Sequence, residues 1–200
     1  MRFETIRIIR EEHSALAAML QSLLSLVRQG PGDAPERFFD VLRAMLFYID
    51  EFPEKQHHPK ESDLLFPRVA RVAPHTLELI TRLEREHMQG EGAVRELQHR
   101  LLAWELLGEG RRKAFVDEVE RYVGFYLEHM RLEEAVILPE ADAHLEEADR
   151  RALDAAFTHK PDPLAAAQRG ELASAPDHDP AYDRLFTRIV MRAPAPIGLG

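Results

Sequence analysis

Cysteine is absent from the chain's 200 residues. That excludes disulfides, thiolate zinc sites, cysteine-ligated iron–sulfur clusters and a cysteine nucleophile, so any metal must be held by nitrogen and oxygen. Basic residues are also in short supply: 26 Lys and Arg against 35 Asp and Glu leave a net charge of -9. A surface of that sign argues against nucleic acid as a partner and against docking on an anionic membrane. No stretch approaches the roughly 18 consecutive apolar residues that a membrane span requires. Met1 to Glu12 mixes Arg, Glu and Ile without the apolar core of a leader peptide, and a cytoplasmic protein is expected. Internal repeats, a phosphate-binding P-loop, a Gly-rich dinucleotide fingerprint and a Ser elbow are likewise missing. Small-molecule chemistry has to come from other residues.

Those residues are His and Glu in a repeated spacing. His57 and Glu61, His87 and Glu91, and His129 and Glu133 are three His-x-x-x-Glu pairs. Residues four apart stand one above the other on a helix, so each pair can aim an imidazole and a carboxylate at one point. A single pair is an ordinary solvated helix face; three pairs on three segments, with a lone His13 on a fourth, form a pattern.

The apolar periodicity places these pairs inside. Ile6, Ile9, Leu16, Leu20, Leu23 and Val27 form one helical stripe that contains His13 and ends at Gly30-Pro31-Gly32. Phe38, Leu42, Met45, Ile49 and Phe52 form a second stripe, whose rhythm would put position 56 inward rather than 57. Pro53 lies between, and a proline-induced bulge of one residue would turn His57, Glu61 and Leu64 or Leu65 inward. His58, about 100° further round, is then expected at the surface or behind the ligands. Leu65-Phe66-Pro67 closes this segment, and Pro74 opens the third helix. Its stripe reads Ile80, Leu83, His87, Glu91, Val94, Leu97, Leu101 and Trp104. Gly90 and Gly92 flank Glu91 at a cost of about 1 kcal/mol each in a helix, which suggests either close helix packing or room for a small ligand. After Gly108-Glu109-Gly110 the fourth helix carries Phe115, Val119, Tyr122, Tyr126, His129, Glu133 and Val136. His87 and His129 lie equally far from that turn, so an antiparallel hairpin brings them to one height.

The expected fold is therefore all-α: an up-down-up-down antiparallel four-helix bundle over residues 1–145. A C-terminal extension, 146–200, follows it: a short helix over 145–157, a Pro-rich linker or arm from Lys160 to Pro180, and a last amphipathic segment with Tyr182, Leu185, Phe186, Ile189 and Val190. That last face either docks on the bundle, the preferred reading, or awaits a protein partner that the sequence does not identify.

Three buried carboxylates in one layer would repel each other and cost several kcal/mol each without compensation. Hydrogen bonds to histidine satisfy one pair but leave the layer negative; cations at the centre remove the problem. Seven candidate donors, His13, His57, Glu61, His87, Glu91, His129 and Glu133, exceed what one zinc takes and suit two metals sharing Glu61 and Glu133. Mixed imidazole and carboxylate donors favour iron or manganese over magnesium or calcium.

A lone His13, His57-x-x-x-Glu61 followed by Leu65-Phe66-Pro67, then His87, then His129-x-x-x-Glu133 resembles the hemerythrin-like, or HHE cation-binding, family over roughly residues 1–145. The resemblance implies two iron ions with an oxo or hydroxo bridge, with manganese or zinc as possible substitutes. His13 and His57 would serve one ion, and His87, Glu91 and His129 the other. Glu61 and Glu133 would bridge. The chain departs from the oxygen-carrying members in having Glu91 where they have a histidine, and Glu133 four residues after His129 where they bridge through an aspartate at five. The first departure would make the centre more anionic and weigh against reversible oxygen carriage. By the resemblance, the protein binds or reacts with O2, nitric oxide or peroxide, as a sensor, scavenger or iron handler; the alternative is a di-iron enzyme or an iron donor in the repair of damaged iron centres. A ferritin-like oxidase is disfavoured, because that fold spaces Glu and His three apart.

Overall fold

The computed structural model describes residues 3–159, 162–168 and 180–198. Four long helical runs build the bundle. Helix α1 is Glu4–Gln29 and ends at Gly30, whose φ of 79° and N–H to the Leu26 carbonyl close the last turn. Helix α2 covers residues 35–72 without a break, as Pro35–Ile49, a π-helical stretch Asp50–His57, His58–Lys60, a second π stretch Glu61–Leu65, and Phe66–Val72. Helix α3 is Leu77–Leu107, stopped by Gly108 at φ 86°. Helix α4 covers residues 112–144 as Arg112–Leu132, a π turn Glu133–Ile137, and Leu138–His144. Each helix packs on its two neighbours in a ring, α1 on α2, α2 on α3, α3 on α4 and α4 on α1. Among the described residues no helix is long and apolar enough to cross a membrane.

The apolar residues fall into two separate cores, one toward each end of the bundle. One is built on Leu16, Leu20, Leu42, Met45, Leu97, Trp104, Phe115 and Tyr126. Phe38 and Phe39 meet the Trp104 ring edge-on at 5.3 and 5.2 Å. The other contains Ile6, Ile9, Leu65, Phe66, Leu83, Ile137 and Leu138. Along every helix the sequence between these cores carries at least one buried histidine, joined by Glu61 on α2 and Glu133 on α4, so the bundle has a polar waist between two apolar halves.

The π stretches explain how that waist is aimed. In α2, the i to i+5 turns widen the helix around Pro53, which cannot donate a backbone bond, and shift the register so that His57, Glu61 and Leu65 are buried. Phe66 and Val69 are buried as well, so Leu65-Phe66-Pro67 does not close the segment. In α4 the π turn begins at Glu133 and moves the inward stripe from Val136 to Ile137.

Among the described residues three shorter helices follow. In α5, Glu147–Thr158, Leu153 and Phe157 enter the second core, and Asp154 accepts the Thr5 backbone N–H and hydroxyl at 2.7 Å each, satisfying a free amide of the first turn of α1. Residues Pro163–Gln168 are helical, α6, inside the stretch expected to be linker. In α7, Pro180–Val190, Phe186 and Ile189 are buried. Phe186 lies 5.8 Å from the Tyr48 ring, Arg188 and Arg192 pair with Asp40, and the Ile197 N–H reaches Ser22 Oγ at 2.9 Å. The amphipathic face is therefore seated on α1 and α2; the Tyr182 side chain lies outside the described residues.

Candidate metal centre

Five imidazoles and two carboxylates converge at the waist: His13 from α1; His57, His58 and Glu61 from α2; His87 from α3; His129 and Glu133 from α4. None is more than 7% exposed. Their donor atoms form three overlapping groups, each within 4.8 Å: His13, His57 and Glu61; His58, His87 and His129; Glu61, His87 and Glu133. The two carboxylates stand between the imidazole groups. Glu61 Oε1 is 3.2 Å from His57 Nε2 and Oε2 is 3.6 Å from His87 Nε2. Glu133 Oε2 is 3.3 Å from His13 Nε2 and Oε1 is 3.2 Å from His129 Nε2. Each thus turns one oxygen toward each imidazole group.

The other nitrogen of every ring is already committed. His13 Nδ1 faces Glu134 at 3.0 Å, His57 Nδ1 faces Glu12 at 2.6 Å and His58 Nδ1 faces Glu54 at 3.2 Å. His87 Nδ1 faces the Ser62 hydroxyl at 2.9 Å, and His129 Nδ1 faces Glu86 at 2.8 Å. With Nδ1–H donating, Nε2 carries the lone pair and points inward, as a metal ligand must. The supports are themselves held: Tyr122 and Tyr126 donate to Glu54 Oε1 at 2.9 and 2.5 Å, and Arg82 donates to Glu86.

The inward atoms have no such partners. All four oxygens of Glu61 and Glu133, and Nε2 of His13 and His57, are buried without a hydrogen bond. His87 Nε2 and His129 Nε2 stand 3.0 Å apart. Buried polar atoms are rarely left unpaired, and these are grouped where cations would pair them all. The titration of the layer carries the same message. Burial disfavours charge on His57, yet the Glu61 and Glu12 carboxylates outweigh it and push that imidazole well above its usual range. Against the same burial, Glu133 raises His129 to about 9, and Glu133 itself is held well below the carboxylate range chiefly by His129. His58, by contrast, is depressed well below the usual range by burial and by its histidine neighbours. The carboxylates call for positive charge between them. The donor set fits metal cations.

Six of the seven residues expected at the centre are there; Glu91 is not. Its side chain is 47% exposed and pairs with Arg95 at 3.0 Å. The buried stripe of α3 runs Ile80, Leu83, His87, Gly90, Val94, Leu97, Leu101, Trp104, a strict alternation of three and four that passes through Gly90. A glycine in the stripe hides it from a hydrophobicity count. Paired with Arg95 at the surface, Glu91 adds no charge among the donors and so does not weigh against reversible oxygen binding. Its place is taken by His58, which is buried and stacked on His87 at 4.2 Å between ring centres. The widened π turn brings two successive histidines to the inner face, one for each imidazole group. Nor does Gly90 leave room beside a metal: a Cβ there would lie 1.8 Å from Tyr126 Oη and 2.7 Å from Glu54 Oε2, so the space belongs to their hydrogen bond. Gly92 has nothing within 4 Å and serves neither purpose.

A helical bundle whose buried waist gathers two histidine groups around two carboxylates defines a metal-binding protein. Residues 4–141 match the family model of the hemerythrin HHE cation-binding domain, and the chain belongs to that family. No curated protein and no solved structure was found to match it.

Proposed function

We propose that the protein holds two iron ions, one on His13 and His57, the other on His58, His87 and His129, with Glu61 and Glu133 shared between them. In this reading it binds or reacts with O2, nitric oxide or peroxide. The observation that carries the two-ion reading is the shared pair of carboxylates whose four oxygens are buried and unpartnered between two imidazole groups. Five neutral nitrogens with two carboxylates suit a redox-active ion such as iron better than magnesium or calcium. Iron bound there would supply redox chemistry and open coordination positions for a small ligand, since the first group offers only two imidazoles besides the shared carboxylates.

The chain's own residues set the size of that ligand. With every donor at most 7% exposed, a diatomic molecule or peroxide suits the waist better than an organic substrate does. The same burial weighs against handing iron to another protein. The five Nδ1 contacts fix the rings before any ligand arrives, so little reorganisation accompanies binding. The test is rapid-mixing absorbance of the reduced, iron-loaded protein with nitric oxide, O2 and peroxide in turn. A fast spectral change with at least one of them is expected; no change with any, in protein shown to contain two irons, would sink this reading.

A further inference from the structure

The family pattern ends at residue 141, yet one support of the centre comes from beyond it. His57 is aimed inward because its Nδ1–H donates to Glu12 Oε2. Glu12 is buried, and its other oxygen accepts the backbone N–H of Asp162 at 3.1 Å. Asp162 is fixed in turn: Oδ1 accepts the N–H groups of Leu164 and Ala165 at 2.8 and 2.9 Å, and Oδ2 accepts the Tyr48 hydroxyl at 2.8 Å. A second tether lies nearby. Lys60, adjacent to Glu61, donates to the His159 carbonyl at 3.1 Å and sits 5.6 Å over the Phe157 ring. Leu164, Ala165 and Ala166 are buried, so the turn is packed as well as bonded.

We propose that the Asp162 turn is a working part of the metal centre: it holds Glu12, and through Glu12 it fixes His57 toward the ion shared with His13. Glu12 and Asp162 are positioning residues. The inference rests on the two-ion reading. Glu54 is anchored by Tyr122 and Tyr126 and Glu86 by Arg82, all within residues 4–141, whereas the anchor of Glu12 belongs to the extension. The two ions therefore depend unequally on the Asp162 turn. Loosening that turn releases the ion on the His13 and His57 side and spares the one on His58, His87 and His129.

Anaerobic titration of ferrous iron against a competing chromogenic chelator tests this on the full-length chain, with circular dichroism of each metal-free protein as the check on folding. Wild type should fill two sites. In Asp162→Ala one site should keep its affinity and the other weaken about tenfold or more, the usual effect of losing a residue that orients a ligand. Asp162→Asn keeps an amide oxygen for the turn and should bind both ions as wild type does. Tyr48→Phe removes only the hydroxyl on Asp162 and should weaken the same single site; it decides the matter if Asp162→Ala does not fold. Added to His57→Ala, Asp162→Ala should cause no further loss, because both act on one ligand. Wild-type affinity at both sites in the folded variants, or equal weakening of both sites, would overturn the proposal. A wild type that binds one ion or none would instead overturn the two-ion reading, a result the same titration distinguishes.

Discussion

An imidazole has two nitrogens, and the hydrogen bond made by one decides whether the other is free to bind a metal. At the waist of this bundle five rings are set the same way, and four of the five residues that set them lie beside other site residues in the sequence: Glu12 before His13, Ser62 after Glu61, Glu86 before His87 and Glu134 after Glu133, with Glu54 one turn before His58. Those acidic neighbours are the signal that reading only the His-x-x-x-Glu pairs overlooks. His58 and Glu91 give the sharpest contrast between expectation and structure. Replacing His58 by Ala should lower metal affinity by more than about 100-fold, beyond the range for a residue that only orients a ligand. Glu91→Ala, at an exposed ion pair, should leave metal content unchanged and stability within about 0.5 kcal/mol. Equilibrium metal competition on the two variants checks both, and the reverse order would restore Glu91 to the centre.

At the scale of the helices, most of the design was legible. The stripes of α1, α3 and α4, the Gly30 and Gly108 stops and the equal heights of His87 and His129 all follow from spacing. The register was legible only where the helix stays α. Pro53 pointed to a bulge, but the extent of Asp50–His57 and the second π stretch at Glu61–Leu65 carry no marker of their own, and the π turn at Glu133 has no proline within it. Gly90 shows the other limit: a residue without a side chain reads as a gap in a stripe when it is part of one. The two glycines of α3 should respond oppositely. Gly90→Ala drives a methyl into Tyr126 Oη and Glu54 and should destabilise the protein by about 1–3 kcal/mol, as overpacking does. Gly92→Ala meets open space on an exposed helical face and should stabilise it by up to about 1 kcal/mol. Chemical denaturation of the two variants reads both signs.

For the whole molecule, the waist separates two apolar cores, and the extension closes over the α1 and α2 side of it. The sequence suggested a docked tail; that residues 163–168 are helical was legible only in Asp162 followed by Pro163, a helix-start signal that a reading of the stretch by its Pro and Ala content passes over. Deleting residues 180–200 removes Phe186, Ile189, Ala193 and Ile197 from the larger core. At roughly 1.5–3 kcal/mol for a fully buried large apolar side chain, the melting temperature should fall by about 5 °C or more while both metal sites persist. An unchanged melting temperature would show that the tail adds nothing to the fold. Acidity offers a separate probe of the extension. Burial, with Glu12 close by, raises the Asp162 carboxyl from the ordinary aspartate range to about 6. The folded state therefore binds that proton more tightly than the unfolded state does. Its stabilising contribution is complete below the unfolded value and is lost as pH rises through about 6. Between pH 5 and pH 7 wild type should lose about 1 kcal/mol relative to Asp162→Asn. Denaturation of the pair at both pH values measures it, and a difference that stays flat, or runs the other way, would contradict the burial of a charged Asp162.

Metal content of the protein purified with iron supplied is the most direct test of two ions sharing Glu61 and Glu133. Elemental analysis should find close to two irons per chain in wild type. It should find well under half of that in Glu61→Ala or Glu133→Ala, because each of these residues serves both ions. One tightly held zinc per chain, no metal after iron supplementation, or one full equivalent retained when a shared carboxylate is removed would contradict it.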